Sequence, residues 1–135
     1  MVFFKYQIPI SHRGSGAFGK LGLGDQEDHA TPTLLECFKE ANAVGMKVCE
    51  IACGDNHTLA VLENMEEENH KLFVWGQGKS WQLGLDGDNT DDVLDPHAID
   101  PDPFYETVLN VAACNNYSCA ITEQGDVVIN RMISE

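Results

Sequence analysis

Several clusters in this 135-residue chain have residue types that carry chemistry in other settings. Gly14, Gly16 and Gly19 fit the G-x-G-x-x-G turn that brings a dinucleotide pyrophosphate onto backbone N–H groups. That turn works only between a strand and a helix. Here Lys20-Leu21-Gly22-Leu23-Gly24 follows, a poor helix start because glycine is about 1 kcal/mol worse than alanine at a helical position. Gly78-Lys79-Ser80 matches the end of a phosphate-cradling loop, but the upstream glycine it requires falls on Phe73. Asp86, Asp88 and Asp91 sit in a stretch that faintly matches a calcium loop. Its turn glycine is replaced by Asp91 and its closing bidentate glutamate by His97. Cys49 with Cys53, and Cys114 with Cys119, lack the C-x₂-C spacing of a zinc site. We expect no metal, no cofactor and no catalytic residue. The cysteines read as small buried strand residues, and His57 as a structural histidine at a strand start rather than a base, since no Ser/His/Asp or Cys/His arrangement accompanies it.

Composition narrows the field further. Eight Lys+Arg stand against 22 Asp+Glu, a net charge of −14. A phosphate backbone or an anionic membrane surface is bound through Lys and Arg, so neither suits this chain. A protein partner with a basic surface does. Hydrophobic residues make up 43 %, enough for a core, and the length allows one domain. We expect no signal peptide and no membrane insertion. The odd cysteine count suggests reduced thiols in the cytoplasm or nucleus.

The elements that position these residues come in copies. Gly14, Gly16, Leu21, Gly22 and Leu23 recur as Gly76, Gly78, Leu83, Gly84 and Leu85, an offset of 62. Val48, Ile51, Ala52, Asn56, His57, Thr58, Ala60 and Val61 align with Val108, Val111, Ala112, Asn116, Tyr117, Ser118, Ala120 and Ile121, an offset of 60. Two independent blocks in the same order at nearly the same spacing define a tandem repeat. Each unit holds short β-branched runs bounded by turn residues. In the first unit these are 48–52, 59–62 and 72–75, with a fourth strand at 83–85 or alternatively at 93–94. In the second they are 108–113, 119–122 and 127–129, with Gln124-Gly125 at the last hairpin. Residues 64–70 form an acidic, solvated insertion at the matching hairpin of the first unit. Residues 34–43 favour one or two helical turns after Pro32, and 86–103, rich in aspartate and proline, read as a long exposed loop. Three or four short strands per unit predict an all-β fold, a partial β-propeller of about two four-stranded blades.

At this point the residues resemble a known family. Ile51 to Val61, carrying Cys53, Gly54, His57 and Thr58, resembles the signature of the regulator of chromosome condensation repeat. Trp75-Gly76-Gln77-Gly78 followed by Gln82-Leu83-Gly84-Leu85, and Lys20-Leu21-Gly22-Leu23, resemble that family's Trp-Gly…Gln-Leu-Gly segment. The resemblance implies a β-propeller, commonly seven-bladed. The founding member is a nucleotide exchange factor for the small GTPase Ran, and many other members are interaction modules, so the repeat fixes a fold more than a function. This chain departs from the pattern at Ala113-Cys114, at Tyr117, at Arg13 where a tryptophan is expected, and at Asn130-Arg131 where Trp-Gly is expected.

The expected organisation is a remnant strand at 1–13, a first repeat at 14–76, a second at 76–131 and a tail at 132–135. A seven-bladed ring needs on the order of 400 residues, so apolar sheet faces should remain bare unless other copies or chains cover them. The expected role is a non-enzymatic interaction or structural module within a larger propeller or assembly. The alternative is exchange activity on a Ran-type GTPase. Trp75 should pack between blades. Trp81, Asp86, Asp88, Asp91 and Asp92 are the candidate partner contacts, the partner being a small GTPase or neighbouring subunits.

Overall fold

The most apolar stretch of the chain, Leu59 to Leu62, is buried on both faces. A strand with no solvated side must lie between two other layers, and its continuous apolar run reflects that. The computed structural model describes residues 10–43, 45–66, 69–85, 89–99 and 107–129. In chain order the elements are β1 (Ser11–Gly14), a single 3-10 turn (Ala17–Gly19), β2 (His29–Leu34), α1 (Glu36–Ala43), β3 (Met46–Cys53), β4 (His57–Asn64), β5 (Asn69–Gly76), β6 (Val93–Ala98), β7 (Val108–Cys114), β8 (Tyr117–Thr122) and β9 (Val127–Ile129). They pair antiparallel as a leading sheet β1-β2, a middle sheet β3-β4-β5-β6 and a trailing sheet β7-β8-β9.

Strand alternation gives the middle sheet two apolar faces. Leu59, Val61, Leu72 and Val74 face Val108, Val111 and Ala120 of the trailing sheet. Ala60, Leu62 and Trp75 face the other way, onto Leu35 and Phe38 at the start of α1. Each such Leu, Val or Phe contributes roughly 1.5–3 kcal/mol by leaving water. Glu36 in the first helical turn suits the positive end of the helix dipole. Gly45, at φ +86°, turns the chain after the helix.

The leading sheet corresponds to the outer half of the middle one. β1 ends on Gly14 as β5 ends on Gly76, and β2 stands where β6 stands. In both copies a glycine packs against backbone. A Cβ on Gly16 would strike the Glu27 carbonyl, and one on Gly78 the Asp91 carbonyl. In both, the same glycine's N–H donates to an aspartate: Gly16 to Asp28 Oδ1 at 2.9 Å and Gly78 to Asp92 Oδ1 at 3.1 Å. That contact ties the glycine loop to the foot of the fourth strand.

The all-β propeller-blade architecture is present, with one short helix. Several details differ from the expectation. The described residues hold one four-stranded, one three-stranded and one two-stranded sheet rather than two four-stranded blades. The fourth strand is Val93–Ala98, which begins at the alternative position 93–94 rather than at 83–85, so the stretch read as a long exposed loop contains a strand. β2 was not foreseen. The sheets are out of phase with the sequence repeat, since residues 14–76 take in the last residue of β1, all of β2 and three strands of the middle sheet. Cys37, Cys49, Cys53 and Cys114 are exposed and Cys119 is half-buried, against the expectation of buried thiols. Cys53 ends β3, and Cys114 and Cys119 lie on the outer face of the trailing sheet.

Candidate interaction site

The seams between sheets are built from the signature residues. Lys20 lies on the loop after β1, and its carbonyl is a double acceptor. Thr58 Oγ1 donates to it at 3.1 Å and Trp75 Nε1 at 3.0 Å. Lys20 Nζ donates in turn to Asn56 Oδ1 at 3.0 Å and to the Asp55 carbonyl at 3.3 Å. Trp75 is wholly buried, with Phe38 at 5.8 Å edge to face and His12 at 5.8 Å. Leu21 is buried beside this loop, and a Cβ on Gly22 would press on the Trp75 indole. Thr58 and Trp75 thus bind the middle sheet to the leading one.

The next seam repeats the device one unit later. Ser118 Oγ donates to the Gln82 carbonyl at 2.6 Å, as Thr58 donates to Lys20. Its proton is thereby committed, so the hydroxyl oxygen accepts from His57 Nε2–H at 2.8 Å. His57 Nδ1 makes no hydrogen bond among the described residues. Burial lowers the His57 pKa below the ordinary histidine value, opposed more weakly by the Tyr117 backbone and Asp55. The Asp55 N–H donates to the Asn115 carbonyl at 2.9 Å, stacking the two hairpin turns. Gly54 has no room for a side chain against His57 and Asn115. Leu83 is buried in the core between the two sheets, and Gly84 closes its turn by donating to the Trp81 carbonyl at 3.0 Å.

An open cleft of ≈ 480 Å³ lies between β1 and the first hairpin of the middle sheet, lined by Ser11, His12 and Arg13 on one side and Cys53, Asp55 and Thr58 on the other. His12 Nδ1–H donates to the Leu21 carbonyl at 3.0 Å, and burial lowers its pKa. Burial raises the Cys37 and Cys49 thiols, so neither is an activated nucleophile.

The signature residues therefore gather at two seams. Gly14, Gly16 and Gly78 mark strand ends and loop feet. Of the candidate partner contacts, Trp81, Asp91 and Asp92 all lie against the Gly78 loop. Trp81 sits half-buried in a turn at φ +64°. Asp91 is exposed, and Asp92 spends one carboxylate oxygen on Gly78. Asp86 and Asp88 lie outside the described residues. The dinucleotide pattern at Gly14–Gly19 leads into a single 3-10 turn rather than a helix. Sequence reasoning passed over Lys20, Gln82 and Ser118 as seam residues. Two of them act through backbone carbonyls, which leave no mark on residue type.

Stacked antiparallel sheets joined face to face by a recurring hydroxyl-to-carbonyl latch define adjoining blades of a β-propeller. Residues 14–61 match the family described as Regulator of chromosome condensation (RCC1) repeat. The chain is therefore similar to RCC1-repeat proteins, with the repeat itself matched over that segment. It is 39 % identical over 114 residues to the ultraviolet-B receptor UVR8 of Arabidopsis thaliana, covering 84 % of this chain and 23 % of the receptor. The crystal structure of human WBSCR16 superposes with a TM-score of 0.70 at 25 % identity, covering 90 % of this chain and 28 % of that one. Prp20p of Saccharomyces cerevisiae, described with its binding properties to Gsp1p and histones, superposes with a TM-score of 0.72 at 26 % identity, covering 93 % and 29 %. The chain thus spans between a fifth and a third of the length of these proteins. No helix among the described residues is long and apolar enough to cross a membrane.

Proposed function

We propose that this chain is a non-enzymatic protein–protein interaction and structural module, a segment or subunit of a larger propeller or assembly. One observation carries the reading: the outer face of the trailing sheet presents Tyr117, Ile121 and Val127 to solvent as large exposed apolar side chains. An apolar sheet face of this kind marks a docking surface. The non-enzymatic part is supported by His57. This buried histidine is occupied at a seam, and its counterpart in the next unit is Tyr117, which cannot serve as the same base. The net charge of −14 favours a partner with a basic surface. Five free cysteines favour a reducing compartment, cytoplasm or nucleus.

The test is affinity capture with the folded chain from its native extract, followed by mass spectrometry. A stoichiometric protein partner, lost when Tyr117 is replaced by Arg, supports the reading. Absence of any stoichiometric partner overturns it. A second reading, exchange activity on a Ran-type GTPase, is favoured by the likeness to Prp20p. Accelerated release of fluorescent GDP from such a GTPase by the isolated chain would establish it, and no acceleration at micromolar protein would remove it.

A further inference from the structure

Equivalent positions in this chain are buried once and bare once. Val111 faces the middle sheet and is 5 % exposed, while its counterpart Ile51 faces the leading sheet and is 41 % exposed. Val61 lies under the trailing sheet at 0 %, while its counterpart Ile121 is 40 % exposed. His57 is 1 % exposed and its counterpart Tyr117 61 %. Gly76 lies opposite His57 in the β4–β5 pair, and a Cβ there would strike the Asn56 carbonyl. A Cβ on its counterpart Gly14 would meet nothing within 4 Å. The bare members of these pairs fall in two places. One is the outer face of β7-β8. The other is the space beside β1 and β3, where the cleft opens.

The two places are complementary. The leading sheet has the third- and fourth-strand equivalents, β1 and β2. The trailing sheet begins with the first- and second-strand equivalents, β7 and β8. Together they make one four-stranded blade. The contact needed to join them already exists inside the chain, where Val61 and His57 of one sheet seat against Val111 and Ser118 of the next. Carried over, Ile121 and Tyr117 would face Ile51 and Thr58, and Tyr117 would lie opposite Gly14 as His57 lies opposite Gly76. The face offered is uncharged: Ala112, Cys119, Ile121 and Tyr117 alternate outward along β7 and β8. Among the described residues β9 holds the outer edge of β8 at three pairs, so exchanging it for β1 gives up little.

We propose that the chain self-associates head to tail, β7 and β8 of one copy entering the cleft beside β1 of a second copy and completing its leading sheet. The inference rests on the interaction-module reading and names a second copy as the partner. Each copy carries a net charge of −14, so raising the salt concentration should screen the repulsion between copies and strengthen association.

The experiment is multi-angle light scattering and sedimentation equilibrium on the full 135-residue chain in reductant, from micromolar to sub-millimolar concentration. The wild type should associate, and Ile51→Asp and Ile121→Asp should each remain monomeric with unchanged circular dichroism. Mixing the two should restore a 1:1 dimer that grows no further, because one copy keeps an intact tail and the other an intact head. Tyr117→Arg should replace Ile121→Asp in the mixture with the same result, which covers misfolding of Ile121→Asp, and the unchanged circular dichroism covers Ile51→Asp. A folded wild-type monomer at the highest concentration overturns the proposal. So does a dimer that survives one of the single variants, or a mixture that stays monomeric. A folded monomer that still captures a stoichiometric heterologous partner removes self-association and leaves the module reading standing; one that captures nothing removes both.

Discussion

His57 Nε2 lies 2.8 Å from Ser118 Oγ, 61 residues onward and in the next sheet. Ser118 Oγ–H donates in turn to the Gln82 carbonyl at 2.6 Å. The three groups form a directed chain, imidazole N–H to hydroxyl to carbonyl, across a seam that also carries the Asp55 N–H bond to the Asn115 carbonyl. Such a chain fixes the relative register of two sheets because each member has one partner that suits it.

Ser118→Ala should therefore cost more than an exposed serine would. It strands the His57 N–H and a carbonyl in a buried place, at a cost of about 1–3 kcal/mol. Urea unfolding checks this, and a change within experimental error would show that the seam tolerates slippage. Ser118→Thr, which restores the residue type found at position 58, should recover most of the loss.

Acid should destabilise the fold through its buried histidines. Burial lowers both His57 and His12, so the unfolded chain binds more protons once the pH falls below the ordinary histidine value of about 6.5. Stability is full above that value and declines as the pH falls through it toward the depressed folded-state values. Urea midpoints at about pH 7.5 and about pH 5 should differ, and His57→Gln should flatten the difference. An unchanged slope in that variant would place the titration elsewhere.

Trp75 combines volume with a hydrogen bond, and two substitutions separate them. Trp75→Phe keeps most of the packing against Phe38 and loses the donation to the Lys20 carbonyl, at about 0.5–1.5 kcal/mol. Trp75→Ala also opens a cavity and should cost about 3–5 kcal/mol. Equal losses in thermal or urea unfolding would mean that the indole N–H, not the ring, holds the seam.

Gly78→Ala should destabilise the loop that leads to β6, since its methyl group would strike the Asp91 carbonyl. Asp92→Ala removes only the acceptor for the Gly78 N–H and should be milder. The order of the two unfolding midpoints tests whether close backbone approach or the hydrogen bond sets the loop.

The repeat was legible because its glycines, its buried strand β4 and its hydroxyl positions are fixed by contacts that recur in each copy. β2 and β6 were not. Each contains a proline, Pro32 and Pro96, and each stands at a sheet edge, where a missing N–H leaves no ladder bond broken. Read along the sequence, those prolines signal loops. The cysteines misled for a different reason. Residue type says that Cys53 and Cys119 suit a strand, but only the stacking order says which of its faces is covered. Asp92 looked like a surface charge, and its bond to Gly78 depends on a partner 14 residues away across a turn.

The most direct test compares two equivalent positions in a cysteine-free background, Val61→Cys and Ile121→Cys, by thiol labelling at protein concentrations too low for association. The stacked-blade account predicts that position 121 labels quickly in the native state, while position 61 reacts only on unfolding. Equal labelling rates at the two positions would mean that the middle and trailing sheets are not packed face to face, and would contradict it.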